Sequence, residues 1–340
     1  MAMANGFGSL GRFIPQRLLR VSWLRPRYPL VGLELREDAV IAARLARRRG
    51  GYRLAGHAVT QLDEGVFQTS LIRPAVSDTR ELVRAIGDVL KQAGADGAAR
   101  VSLAVPDTMA KVFLLDFQEL PASVDQATEM VRWRLKKSVP FRLDEAQLSW
   151  EELGRGEDGR VQLLVAVAPT EGVRLLEELL AGLGVRVGLI DLASFDVFNA
   201  LRIDGTFDGD DARDTALLSA TPTYFSLMIM RGQRLIFYRA KNYHVQGTFQ
   251  GEESLRVVVR ELRSTLSYYE EHLLGEGIAS LRTRVVGIHP GGILDVAREA
   301  GCGTVQEVSM KRAIPELAAA PQDTASELLP AVGLAMRREP

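Results

Sequence analysis

The chain holds one cysteine, Cys302, in 340 residues. A lone cysteine closes no internal disulfide, which excludes the stapled secreted scaffolds and points to a reducing compartment. No apolar run reaches the roughly 18 residues that a membrane-spanning helix needs. An excess of either charge is lacking too. The 42 Lys and Arg stand against 43 Asp and Glu, for a formal net charge of −1. A nucleic-acid partner is therefore not expected, since such domains carry a basic excess. His57, His244, His272 and His289 show no paired ligand spacing, so no zinc site is expected. Asp144-Glu145 and Glu151-Glu152 read as solvated turn charges. Neither a Walker loop nor a nucleophile elbow occurs.

What is present is an ordinary globular composition, 46% hydrophobic and 25% charged. The length suits two domains or one bilobal unit, with a core large enough to need no staple. Residues 1–27 differ from the rest. Arg12, Arg17, Arg20, Arg25 and Arg27 are interleaved with Phe13, Leu18, Trp23 and Leu24, and no acidic residue precedes Glu34. Two readings stand: a disordered or partly helical tail, or a basic arm that touches anionic lipid or a partner.

The chain is organised around Tyr28 to Val59. Three β-type runs, Tyr28–Leu35, Ala39–Arg47 and Tyr52–Val59, are joined by Arg36-Glu37-Asp38, a polar turn, and by Arg48 to Gly51. This spacing predicts a meander. Helix and strand then alternate. Asp78 with Glu81, and Ser123 with Gln126, look like helix starts. Thr170, Ser194 and Ser326 are expected to cap three further helices, the last running from Glu327 to Arg337 with Pro330 in its first turn. Ile203 to Asp214 holds five aspartates and reads as a solvated linker. After it the meander recurs in weaker form, followed by a long helix over Glu252–Leu274 and by Gly291-Gly292 ahead of another.

Several signatures, in order along the chain, resemble the PilM family of type IV pilus assembly proteins. They are Val31-Gly32-Leu33-Glu34-Leu35, Leu62 to Phe67, Val101 to Pro106, Val139-Pro140-Phe141, Leu189 to Leu192 with Phe195, Thr265 to Tyr269, and Val332 to Arg337. The resemblance implies an α/β, actin-like (ribonuclease H-like) bilobal fold with two duplicated lobes and mixed sheets. The expected arrangement is a basic arm over 1–27 and a first lobe over 28–203, with an inserted α+β subdomain at about 109–184. An acidic linker over 204–214 and a second lobe over 215–338 follow, with the final helix near the lobe junction. The family usually binds ATP between the lobes. It receives a short N-terminal peptide of the membrane protein PilN, in a groove between the first lobe's core and its insert.

The nucleotide motifs depart from the family. Gly32 matches the first phosphate loop, but Glu34 replaces its aspartate and Arg36 its second glycine. Such glycines matter because backbone N–H groups must approach a phosphate closely. The second motif is replaced by Ser219-Ala220-Thr221-Pro222, without carboxylate or glycine. The adenosine side survives in part as Gly287, Gly291 and Gly292. Gly32, Glu34, Gly287, Gly291 and Gly292 are therefore vestigial cofactor-binding positions. No catalytic residue, metal or required cofactor is expected; weak ATP and Mg²⁺ binding stays open. Without carboxylates to hold Mg²⁺, phosphoryl transfer has little to work with.

Binding is the other role. Trp133, Lys136 and Phe141, in the expected insert, are partner-binding candidates because aromatic and basic residues suit an interface. The alternative is that Trp133 and Phe141 are core. The expected protein is a cytoplasmic adaptor, peripheral at the inner membrane, of a type IV pilus or related secretion platform. It would bind a PilN-like peptide and other platform proteins without hydrolysing ATP. An active actin-like ATPase and the L-type component of a type II secretion system are the alternatives.

Overall fold

The computed structural model describes residues 28–72, 74–156, 158–207, 213–242, 251–310 and 312–337. The basic arm, His244 and Asp208, Asp210 and Asp211 of the acidic stretch lie outside them. The described chain opens with β1 (Val31–Leu35), β2 (Ala39–Arg48) and β3 (Gly51–Gln61). A short ribbon, β4 (Phe67–Gln68) with β5 (Ala75–Val76), leads to α1 (Thr79–Gln92). The Asp78 carboxylate accepts from the N–H groups of Arg80 and Glu81, both at 2.9 Å, which satisfies donors that the first turn leaves open. Next come β6 (Arg100–Val105), β7 (Lys111–Phe117), α2 (Val124–Leu135), β8 (Ala146–Arg155), β9 (Val161–Pro169), α3 (Thr170–Ala181), β10 (Arg186–Leu192) and α4 (Ala193–Ile203). The second half holds β11 (Asp214–Ala220), β12 (Tyr224–Arg231), β13 (Arg234–Asn242), α5 (Gly251–His272), β14 (Ile278–Val285), α6 (Gly291–Glu299), β15 (Thr304–Glu307), α7 (Pro315–Ala318) and α8 (Gln322–Ala335).

The two halves repeat one topology. The first sheet has the order β10-β6-β1-β2-β3 and the second β13-β12-β11-β14-β15. In each, the opening strand is central. Its hairpin partner is antiparallel on one side and a parallel strand flanks it on the other. A meander followed by helical crossovers yields this order, because parallel neighbours need a long connection over a sheet face. The crossover between β6 and β10 carries a third, antiparallel sheet, β7-β9-β8. With α2 this sheet forms its own apolar cluster around Val131, Leu135, Leu163 and Val165. The apolar face of α3, with Leu176, Leu179 and Leu180, joins the first sheet's core instead.

The helix α8 returns to the first half. A Cβ on Gly32 would lie 1.9 Å from the Ala331 carbonyl oxygen, and one on Gly333 would lie 2.1 Å from the Asp196 carbonyl oxygen. Both glycines let α8 touch backbone, against β1 on one side and α4 on the other.

Several local expectations are corrected. Arg36, Glu37 and Asp38 do form the polar turn after β1, but all three are buried. Asp204 and Asp214 of the acidic stretch are buried as well. Asp204 accepts from the N–H groups of Arg312 and Ala313 at 2.7 Å, and Asp214 pairs with Arg231 at 2.8 Å. Ser123 sits at the start of α2 without a side-chain capping bond. Thr170, Ser194 and Ser326 lie inside their helices, after Pro169, Leu192 and Pro321 respectively. Pro330 lies well inside α8 and not in its first turn. Hydroxyls that resemble caps in sequence can bond elsewhere, and Ser194 does so below.

Candidate functional site in the cleft between the sheets

The turns after β1 and β11 and the end of β14 converge beneath α8. The guanidinium of Arg284, on β14, is fully buried there. Its Nη2 donates to Glu34 of β1 at 3.2 and 3.3 Å, and its Nη1 to Ser219 Oγ of β11 at 3.3 Å. Its Nε donates to the Ser326 carbonyl at 2.7 Å. That carbonyl is available because the residue four positions on is Pro330, which has no N–H to give it. One side chain thus joins both sheets and the C-terminal helix.

Arg36, 1% exposed, fills the neighbouring space. Its Nε and Nη2 donate to the two carboxylate oxygens of Asp38, both at 2.9 Å, in a planar fork. Its Nη2 also donates to Glu327 of α8 at 2.7 Å. Burial alone would lower the Arg36 pKa, but the carboxylates of Asp38, Glu34 and Glu327 reverse this and raise it. Burial raises the pKa of Glu34, against the pull of Arg284 and Arg36. Glu37 turns the other way and accepts from the Thr69 N–H at 2.6 Å and from its hydroxyl.

Behind this network lies a cavity of about 660 Å³, with Leu255, Val286 and Gly287 on its apolar side and Glu307, Asp323 and Glu327 on its polar side. Gly287 has φ +69°, and a Cβ there would meet Pro222 at 2.6 Å. Gly291 and Gly292 open α6, beyond the cavity wall; the Gly291 N–H donates to His289 Nδ1 at 3.1 Å.

Residues 32–251 match the family described as type IV pilus assembly protein PilM. The chain belongs to the PilM family. No curated protein matches it. Among solved structures, it is similar to the PilM-PilN type IV pilus biogenesis complex, with a TM-score of 0.73 and 18% identity over 92% of this chain and 98% of that one. More distant likenesses include a Bacteroides thetaiotaomicron protein with an actin-like ATPase fold and unknown function, at TM-score 0.48 and 9% identity over 89% of this chain and 96% of that one. Another is the cytoplasmic domain of EpsL, an inner-membrane component of the type II secretion system of Vibrio cholerae, at 0.43 and 9% over 75% and 81%. The duplicated sheets and the likeness to the PilM structure make the fold actin-like.

Set against a PilM-type cleft, the sequence-predicted positions divide. Gly32 is taken by its contact with Ala331, and Glu34 by Arg284. Gly287 lines the cavity. Gly291 and Gly292 do not. The carboxylates nearest the phosphate-loop position, Glu34, Asp38 and Glu327, are each engaged by an arginine. Mg²⁺ bound to a polyphosphate does not fit these three carboxylates, which arginine already holds.

Sequence reasoning missed Arg284 and a second buried polar nest. Asp107, in the turn after β6, is fully buried and accepts from the Ser194 hydroxyl and from Tyr238 OH of β13, the latter at 2.7 Å. Burial pushes its pKa up to about 6, against these hydrogen bonds. Nearby, Asp191 pairs with Arg337 at 2.6 Å, and burial beside Asp191 raises the pKa of Asp196 well above the usual range. An Asp directly after the Pro that ends a strand was the only local signal, and it names no partner.

The partner candidates also separate. Trp133 is 77% exposed on α2 and lines a shallow cavity of about 570 Å³ with Phe117, Glu119, Met130 and Arg134. Lys136 is exposed at the end of α2. Phe141 packs partly buried against the third cluster and does not share that surface.

Proposed function

We propose that this protein is a non-hydrolysing adaptor of a type IV pilus platform, held together across its cleft by its own ion pairs instead of by nucleotide. The observation that carries this reading is Arg284, which spans Glu34, Ser219 and α8 where an actin-like protein would bring phosphates between its sheets. Arg36 blocks the adjoining turn in the same way. With both guanidiniums committed to carboxylates, the turn after β1 offers no glycine loop, and Glu34, Asp38 and Glu327 are held by arginine where phosphoryl transfer would use a metal.

The partner is a PilN-like membrane protein, engaged through a short cytoplasmic peptide. The solved complex with PilN supports a partner of this kind. The exposed face of Trp133 and Lys136 supports a further contact on the three-stranded sheet's subdomain, with Phe141 supporting it from within. In this reading the first lobe runs over 28–203 with its insert at about 109–184, the junction over 204–214, and the second lobe over 215–338. The protein sits in the cytoplasm at the inner membrane, with the basic arm of residues 1–27 against the anionic lipid surface. Among the described residues no helix is long and apolar enough to cross a membrane.

The test is paired calorimetry. Titration of ATP with Mg²⁺ gives no heat up to millimolar nucleotide, and a PilN-like N-terminal peptide binds with or without nucleotide. Micromolar nucleotide binding, or peptide binding that requires it, would overturn the reading and return an ATP-driven switch.

A further inference from the structure

The hairpin of β2 and β3 ends in cations. Arg47, Arg48, Arg49 and Arg53 fall within seven positions, and all four are exposed. Gly50, with φ +83°, closes the turn between the strands. Arg48 lies opposite Gly51, and Ala46 opposite Arg53. Cross-strand partners share a face and neighbours along a strand alternate, so Arg48 and Arg53 lie on one face of the ribbon and Arg47 on the other. Arg44, three residues before Arg47, is tied down by the carbonyls of Ala93 at 2.9 Å and Ala55 at 3.1 Å. Among the described residues, no guanidinium of the four at the tip has a hydrogen bond or an ion pair. Exposed Arg312 adds a fifth cation. A Cβ on Gly51 would lie 3.8 Å from the carbonyl oxygen of its neighbour Ala313, so this segment flanks the tip.

The chain enters the fold at the same end. The Leu45 N–H donates to the Leu30 carbonyl at 2.8 Å, and Val31 lies opposite Arg44. Tyr28 therefore stands within a few residues' reach of Arg47. The arm that precedes it carries Arg12, Arg17, Arg20, Arg25 and Arg27 and no acidic residue, so it cannot neutralise the hairpin. The cleft is at the other end of the ribbon. Val40 adjoins it, eight residues or about 27 Å from Arg48 at the rise of a strand.

We infer that the arginine hairpin is a docking surface for the anionic headgroups of a bilayer, and that it faces the membrane together with the point where the arm leaves the fold. Guanidinium forks match phosphate oxygens in pairs. No large apolar side chain is exposed on the hairpin, so it lacks the apolar centre of a protein interface. A net charge of −1 for the chain disfavours nucleic acid. Cations that ring a protruding tip suit a broad negative surface, which needs no groove. The inference rests on the placement at the membrane proposed above and adds to the arm a contact built into the fold.

The probe is vesicles of phosphatidylglycerol and phosphatidylethanolamine, co-sedimented with the full chain. Binding weakens as salt rises and is lost on phosphatidylcholine alone. Replacing Arg48, Arg49 and Arg53 together by Gln weakens it about fivefold for each arginine, the scale of one cation near an anionic leaflet. Arg80→Gln with Arg84→Gln, towards the far end of α1, leaves binding unchanged. All five positions are exposed, so both variants keep the fold. Full binding by the hairpin variant, or an equal loss per arginine in the α1 variant, overturns the inference. If replacing Arg17, Arg20 and Arg25 by Gln then abolishes binding, the arm alone holds the membrane and the proposed placement survives. No binding by the unaltered chain overturns both. Tighter binding of a single-stranded oligonucleotide or of polyglutamate than of vesicles overturns the inference in favour of that partner.

Discussion

Arg284 of β14 and Glu34 of β1 meet at 3.2 Å with both side chains fully buried, 250 positions apart in the chain. An ion pair so far from water is a poor source of net stability but a strict one. Removing one partner strands the other charge in a low-dielectric interior.

Arg284→Ala is therefore expected to cost about 3–5 kcal/mol, while Arg284→Met combined with Glu34→Leu costs far less than either single change. Urea unfolding of the four proteins of the cycle measures this. Additive losses would mean that the two residues do not act as a pair.

Gly32→Ala tests whether the glycine serves packing. Its Cβ would sit 1.9 Å from the Ala331 carbonyl oxygen, so α8 must shift. Overpacking of this kind costs about 1–3 kcal/mol or more. A thermal melt should show a lowered midpoint without any nucleotide present. An unchanged midpoint would return Gly32 to a purely vestigial cofactor role.

Asp107 has its folded pKa raised to about 6, from a model-peptide value of 3.8. The folded state then holds a proton that the unfolded state has released, so folding is favoured as pH falls from about 6 to about 4. Glu34 and Asp196 are shifted in the same sense. Stability should rise as pH is lowered from neutral towards 5, and the slope should be shallower in Asp107→Asn. Chemical denaturation at stepped pH reads the slope. An identical slope in the variant would assign the titration to another group.

Trp133→Ala should leave stability within about 0.5 kcal/mol, as for most exposed positions. It should weaken capture of a PilN-like partner, because an aromatic this exposed contributes its area only when covered. Loss of stability with unchanged capture would make Trp133 a packing residue.

Much of the fold is legible along the chain because its signals are local. The meander of β1, β2 and β3 shows in alternating apolar runs broken by short turns, and α1 in the capping Asp78 and the spacing of Leu82, Ile86 and Val89. The missing phosphate loop is equally local, since Arg36 stands where a glycine is needed. Ser194 and Ser326 misled for the same reason. A hydroxyl near a helix start looks like a cap whether it bonds to the first turn or, as with Ser194, to Asp107 across the core.

The candidate site was half legible. Glu34 and Arg36 stood out as departures, yet nothing near them in sequence shows that they are buried or names Arg284 and Glu327 as their partners. Trp133 and Phe141 lie eight positions apart, and only the packing of α2 and of the segment after it against the three-stranded sheet leaves one exposed and draws the other in.

The sequence by itself determined the order of strands and helices, the repeat of one pattern in two halves, and the departure of Arg36 and Ser219 from the phosphate motifs that the resemblance implies. These follow from periodicity and turn chemistry, which act over a few residues. Only the tertiary structure decided what meets beneath α8. Arg284, Pro330 and Glu34 share no local pattern. Folding brings a carbonyl without a donor, a buried carboxylate and a long cation to one point, and the cost of leaving any of them unpaired away from water holds them there.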